Sequence, residues 1–146
     1  MDVILGSLRL FSGGNRIRSS NVLVHESYNS QSLRNDVAVI VLPNVNTNTV
    51  TGGISTSQQL RHVNLSVISN ADCAAVFGSG TVIASTICVS TSNGRSTCGG
   101  DSGGPLVVNN QLIGITSFGA AAGCQRGFPA GFARVTSFNS WISSRL

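Results

Sequence analysis

The sequence predicts an all-β fold, a barrel or a sandwich. Three observations predict it. Short apolar or alternating runs recur along the chain and end at Gly, Pro or Asn. Gly is abundant, at 17 of 146 residues, and Ser, Thr and Asn fill the intervals between runs. Helix signals occur in only two short stretches.

Taken in order, the first run is Val3 to Leu10, apolar and partly alternating, and the second is Asn21 to His25. Asp36 to Leu42 is a near-continuous β-branched run that stops at Pro43, as a buried strand does. Asn44 to Gly53 is polar and turn-rich, and Val63 to Ser69 alternates with period two. Asn70 is the expected N-cap of a helix over 71–77, with Gly78 as its stop. Pro105 to Gly119 reads as a hairpin with Asn109-Asn110 at the tip, because Asn tolerates the positive φ of a tight turn. Ala130 to Val135 is the last strand. Ser137 to Leu146 is a short terminal helix that turns Trp141 and Ile142 to a core. No internal repeat or low-complexity linker interrupts the chain.

Composition excludes several functions. At 41% hydrophobic, 10% charged and a mean hydropathy of +0.24, the chain can bury a core and is not a disordered tail. No apolar run reaches the ~18 residues of a membrane span. The net charge is +4, but the nine cations are scattered and aromatics are only 5%, which argues against nucleic-acid binding. All nine cations are Arg. Arg keeps its charge where Lys loses it, which suits an alkaline environment; codon bias is the other explanation.

Four Cys are present, at 73, 88, 98 and 124. None forms a C-x-x-C pair, and the two His lie far away, so no metal site is expected. Even count and wide spacing predict two disulfides and an oxidising compartment, with three pairings open. The start, Met1-Asp2 followed by an apolar stretch that stops at Gly6, carries no signal-peptide pattern. Asn64-Leu65-Ser66 is a glycosylation sequon.

The densest chemical signal is Cys98-Gly99-Gly100-Asp101-Ser102-Gly103-Gly104-Pro105. A nucleophilic Ser needs a tight turn that exposes its hydroxyl. Flanking Gly residues permit the backbone angles and the approach of substrate. The N–H groups of Gly100 and Ser102 can then converge on a developing oxyanion.

This string resembles that of the chymotrypsin-like serine endopeptidases, and the resemblance runs over nearly the whole chain. Asn35-Asp36-Val37-Ala38 is similar to the segment carrying the family's catalytic Asp. Thr116-Ser117-Phe118-Gly119 resembles the strand along bound substrate, and Phe132 to Val135 with Trp141-Ile142 resembles the C-terminal strand and helix. Ser96 to Ser102 and Gly123 to Pro129 most resemble insect digestive chymotrypsins and brachyurins. The resemblance implies a double β-barrel with a short C-terminal helix, Ser102 as nucleophile, Asp36 as the orienter of a His base, and Ser117 bonded to that carboxylate. Gly100 and Ser102 would form the oxyanion hole. It also implies the pairings Cys73–Cys88 and Cys98–Cys124. The pocket positions Ser96, Gly119 and Ala130 imply a neutral, open pocket for Phe, Tyr, Trp, Leu or Met. The implied partners are protein or peptide substrates and protease inhibitors, for a secreted, gut-lumen monomer without cofactor, metal, nucleic acid or membrane.

The family's Thr-Ala-Ala-His-Cys and Ile-Val-Gly-Gly segments have no counterpart here. His25 and His62 match surface or edge positions instead. The interval from Asp36 to Ser102 is also short for the family, with the loss near Val50-Thr51. Three expectations follow. The first is a truncated C-terminal part of an endopeptidase, with residues 1–45 a remnant of the first barrel and 46–146 the second barrel, both incomplete. The second is an Asp101 carboxylate left buried and unpartnered, with the turn collapsed. The third is a chain inactive by itself, the alternatives being a peptide- or inhibitor-binding pseudoprotease and a non-functional relic.

Overall fold

In the computed structural model the described residues are 1–5, 13–43 and 62–146. The expected run beyond Leu5, the turn-rich stretch from Asn44 and the Val50-Thr51 junction lie outside them. The chain divides into two units, Met1–Leu23 with Ala38–His62, and Val24–Val37 with Val63–Leu146.

In the first unit, β1 (Asp2–Leu5) pairs antiparallel with β2 (Asn15–Arg18). Strand β2 is absent from the sequence reading because Asn15-Arg16-Ile17-Arg18 has too little apolar content to signal one. Arg18 Nε donates to Asp2 Oδ1 at 2.9 Å, and this pair holds the Asp2 carboxyl below its ordinary range. β3 (Val22–Val24) pairs with β4 (Ala38–Ile40). Strand β4 is half-buried and shorter than the run Asp36 to Leu42 suggested, because its partner has only three residues.

The second unit is built on a five-stranded antiparallel sheet. Its strands are β5 (Val67–Ile68), β6 (Thr86–Val89), β7 (Pro105–Val108), β8 (Gln111–Phe118) and β9 (Ala130–Arg134), in the order β5-β6-β9-β8-β7. All of β6 is buried, as β-branched residues covered on both faces should be. Its Thr86-Ile87-Cys88-Val89 run is too short to stand out in the sequence. Asn109 and Asn110 both take positive φ, at 49° and 61°, and close the β7–β8 hairpin as expected.

Helix α1 (Asn70–Phe77) is capped by Ser69 rather than Asn70. Ser69 Oγ accepts from Asp72 N, while the Asn70 amide is drawn away to the carbonyls of Ile83 and Thr86. Gly78 ends the helix, its N–H donating to Ala74 O. The C-terminus is a 3-10 turn, Val135–Phe138, followed by α2 (Asn139–Ser143), not one continuous helix. Trp141 and Ile142 still pack where expected, against Val37, Ala133 and Phe138.

A second apolar cluster joins Ile87, Val89, Ala130 and Phe132 inside the sheet. Burial of Phe132 contributes roughly 1.5–3 kcal/mol. The packing depends on Gly131, since a Cβ there would lie 2.2 Å from Phe118 Cζ. The Cys73–Cys88 disulfide joins α1 to β6 with both cysteines fully buried.

Candidate functional site

The strongest motif forms a tight turn laid against β8. Asp101 N donates to Cys98 O at 3.0 Å, and Gly104 N donates to Asp101 O at 2.9 Å. Gly103 N and Thr116 O, then Thr116 N and Gly104 O, pair at 2.8 Å each, so the turn continues the sheet. The buried Thr116 hydroxyl adds a bond to Gly104 O at 3.0 Å. Each such bond contributes about 1 kcal/mol net. Gly104 must be Gly, because a Cβ would stand 2.8 Å from Asp101 O.

Ser102 is exposed at the crest of this turn. The N–H groups of Gly100 and Ser102 donate to none of the described residues, so both stay available to an external acceptor. The expectation of a buried, unpartnered Asp101 is corrected. Its carboxylate is exposed and Oδ2 accepts from Cys98 N at 2.8 Å.

Asp36 arrives from a different direction, on the loop 24–37. Leu33 and Asn35 both hold φ at 55°, a left-handed conformation rare outside Gly and Asn. Several bonds sustain it. Asn35 Nδ2 donates to Ser27 O at 3.0 Å, Arg34 Nε to Gly80 O at 2.8 Å, and Asn29 Oδ1 accepts from Gln31 N and Ser32 N. Val37, next to Asp36, is buried against Phe138 and Ala133.

A bulge in β8 joins the two parts. The β8–β9 register shifts between Thr116 and Phe118, leaving Ser117 as the extra residue. Bulges re-aim side chains, and here Ser117 Oγ donates to Asp36 Oδ2 at 2.6 Å. Asp36 is thereby tied to the residue beside Thr116, and Thr116 is bonded to the turn that carries Ser102. A pocket of about 10 Å³ beside Asp36 and Ser117, floored by Phe132 and Phe138, has room for roughly one water molecule.

Next to the Ser102 turn, two segments run side by side. The Cys98–Cys124 disulfide spans them with a Cα separation of 5.4 Å, and Thr91 Oγ1 donates to Phe128 O. Ser96 is half-buried on one segment, and Gly119 is exposed with open space where a Cβ would project. Ala130 is fully buried in the apolar cluster with Ile87, Val89 and Phe132.

The two histidines differ in their contacts. His25 Nδ1 accepts from Ser27 N at 3.2 Å, and its ring stacks on Trp141 at 4.9 Å and meets the edge of Phe138. His62 is exposed and belongs to the first unit. Among the described residues no group of His, Cys, Asp and Glu could hold a metal ion.

Sequence reasoning missed three contributors. Thr116 positions the Ser102 turn, and Asn35 supports the loop before Asp36; an Asn directly preceding the Asp is a local signal for such a turn. Glu26 receives hydrogen bonds from Trp141 Nε1, at 2.8 Å, and from Arg145. Its own backbone N–H, Trp141 and Arg145 lower its pKa to about 2. No local signal predicts this contact, because 115 residues separate Glu26 from Trp141.

Comparison with known proteins adds to the geometry. Residues 45–142 match the sequence model of the Trypsin family. Brachyurin of Leptuca pugilator is 42% identical over 156 residues, covering 88% of this chain and 68% of that protein. Serine protease 1 of Drosophila melanogaster is 35% identical over 157 residues, covering 86% of this chain and 58% of that protein. The solved structure of HL collagenase superposes with a TM-score of 0.88 at 34% identity, over 99% of this chain and 75% of that one. The chain thus spans 58% to 68% of the length of these two protein relatives.

Proposed function

The chain belongs to the trypsin family of serine proteases, and from that membership we propose that it carries the nucleophile, the orienting carboxylate and the specificity pocket of a secreted endopeptidase. One observation carries the reading. Ser102 stands exposed on a turn bonded to Thr116, and the adjacent residue, Ser117, donates to Asp36. Ser102 Oγ would attack the scissile carbonyl to form an acyl-enzyme, while Gly100 N and Ser102 N receive the oxyanion. Asp36, steadied by Ser117, would orient an imidazole and stabilise its protonated form.

Ser96, Gly119 and Ala130 put no charge in the pocket, and the Cys98–Cys124 bridge holds its walls. A neutral, open pocket accepts large apolar side chains, so cleavage follows Phe, Tyr, Trp, Leu or Met. The two disulfides support an extracellular location. His25 is engaged by Ser27 and Trp141, which supports a general base other than His25, supplied in this proposal by a segment outside these 146 residues.

The experiment compares two proteins on peptidyl p-nitroanilides ending in Phe or Arg. The 146-residue chain should give no steady hydrolysis. Steady turnover that Ser102→Ala abolishes would sink the external-base reading. The complete translation product of the native transcript should prefer Phe over Arg and lose activity in Ser102→Ala. Preference for Arg would overturn the pocket assignment. A folded but inactive complete product would favour a peptide-binding pseudoprotease.

A further inference from the structure

We propose that Asn64 is a site of N-linked glycosylation whose glycan shields the β5 edge of the sheet. Asn64-Leu65-Ser66 is the one Asn-x-Ser/Thr sequon in the chain. Function leaves it unused, but the fold presents it in a particular way. Residues 62–66 precede β5 without helix or strand assignment. Leu65 turns inward onto the Ile87–Phe132 cluster, while Asn64 and Ser66 on either side are exposed. Anchoring by Leu65, together with the Ser90 N–H bond to Ser66 O at 2.8 Å, fixes which way the segment faces. The Asn64 amide and the Ser66 hydroxyl make no hydrogen bond among the described residues, so a sugar on Asn64 breaks no contact.

Two disulfides supply the second observation. They place the chain in an oxidising compartment, the setting in which lipid-linked oligosaccharide is transferred to protein. In the reaction Asn64 Nδ2 displaces a polyprenyl diphosphate from C1 of the oligosaccharide. The C–N bond forms, the C1–O bond breaks with its electron pair leaving on the diphosphate, and one amide proton passes to a base. The inference does not depend on the proteolytic reading.

The location gives the glycan a task. Among the described residues β5 is an outer strand of the five-stranded sheet, paired only with β6. Val63 and Val67 on either side of the sequon are 38% and 54% exposed. An exposed apolar edge templates pairing with another chain, and a bulky hydrophilic group beside it blocks that approach.

To test this, the 146-residue chain fused behind a cleavable signal peptide would be translocated into microsomes, and the protease-protected, lumenal fraction analysed by mobility and peptide mass spectrometry. The expected result is one upward mobility step, reversed by peptide N-glycosidase F with Asn64 then read as Asp. Ser66→Thr should keep the step, and both Asn64→Gln and Ser66→Ala should lose it. Arg95→Ser creates a second sequon, at Asn93, and reports access to the transferase. A lumenal Arg95→Ser chain glycosylated at Asn93 but bare at Asn64 would overturn the site. The Asn64→Gln product should also scatter more light than the glycosylated chain at equal concentration. Equal scattering would overturn the shielding role.

Discussion

Around Ser102 the chain is held by a disulfide and by backbone bonds to the sheet, whereas around Asp36 the loop is held by its own backbone and side-chain bonds, with Arg34, Ser117, Trp141 and Arg145 linking it to the rest of the fold. The turn over 98–104 is closed by Asp101 N to Cys98 O and by Gly104 N to Asp101 O, zipped to Thr116, and stapled by Cys98–Cys124. The loop over 24–37 depends on Asn29, Asn35 and Arg34 side chains, on two left-handed residues, and on the packing of Val37 and His25. Under the proposed function, a nucleophile at Ser102 would benefit from such stiff local scaffolding. Under the same proposal, the Asp36 carboxylate would orient a partner from a longer loop, with Ser117 Oγ bonded to it at 2.6 Å.

The sharpest way to break this contrast is to remove the staple. Cys98→Ser with Cys124→Ser should lower unfolding free energy by about 2–5 kcal/mol in chemical denaturation. In hydrogen exchange, amides over 98–104 should lose protection while Val37 N–H keeps its own. Equal loss over both regions would show them to be one cooperative unit.

A smaller effect is expected from the aspartate loop. Asn35→Ala forces a Cβ-bearing residue without a polar handle into positive φ and removes the bond to Ser27 O, so about 1–2 kcal/mol should be lost. Asn35→Gly relieves the φ strain alone. Recovery of part of the stability by Gly would separate the backbone share from the hydrogen-bond share, and identical values for Ala and Gly would refute the strain argument.

The smallest expected effect concerns pH. Glu26 ties the start of the loop to α2 through Trp141 and Arg145, and its folded pKa is depressed from 4.5 to about 2. A depressed carboxyl stabilises the fold fully above its unfolded value and loses that contribution as pH falls towards the folded one. Trp141 fluorescence of the folded chain should therefore change as pH falls to about 2, with no such step in Glu26→Gln. Because Glu26 is well exposed, the change should be slight. A step that persists in Glu26→Gln would assign it to another group.

Legibility in the sequence follows the same division. The Ser102 turn was readable because its requirements are local: Gly where backbone approaches within 2.8 Å, Ser at the crest and Pro opening the next strand. The Asn109-Asn110 hairpin was readable for the same reason. The Asn70 cap was misplaced by one residue, since only the fold shows that its amide is needed by Ile83 and Thr86. Strand β2 was missed because a polar strand leaves no hydrophobic period.

The sequence by itself determined the β class, the pairing of the cysteines into disulfides and the tight conformation of the 98–104 turn, because period, composition and tight-turn sterics act between near neighbours. Only the tertiary structure decided that Ser117 sits on a bulge facing Asp36, that Asp101 is exposed and bonded to Cys98 N, and that Glu26 clasps Trp141. These depend on register and on contacts between residues up to 119 positions apart, which no local pattern encodes.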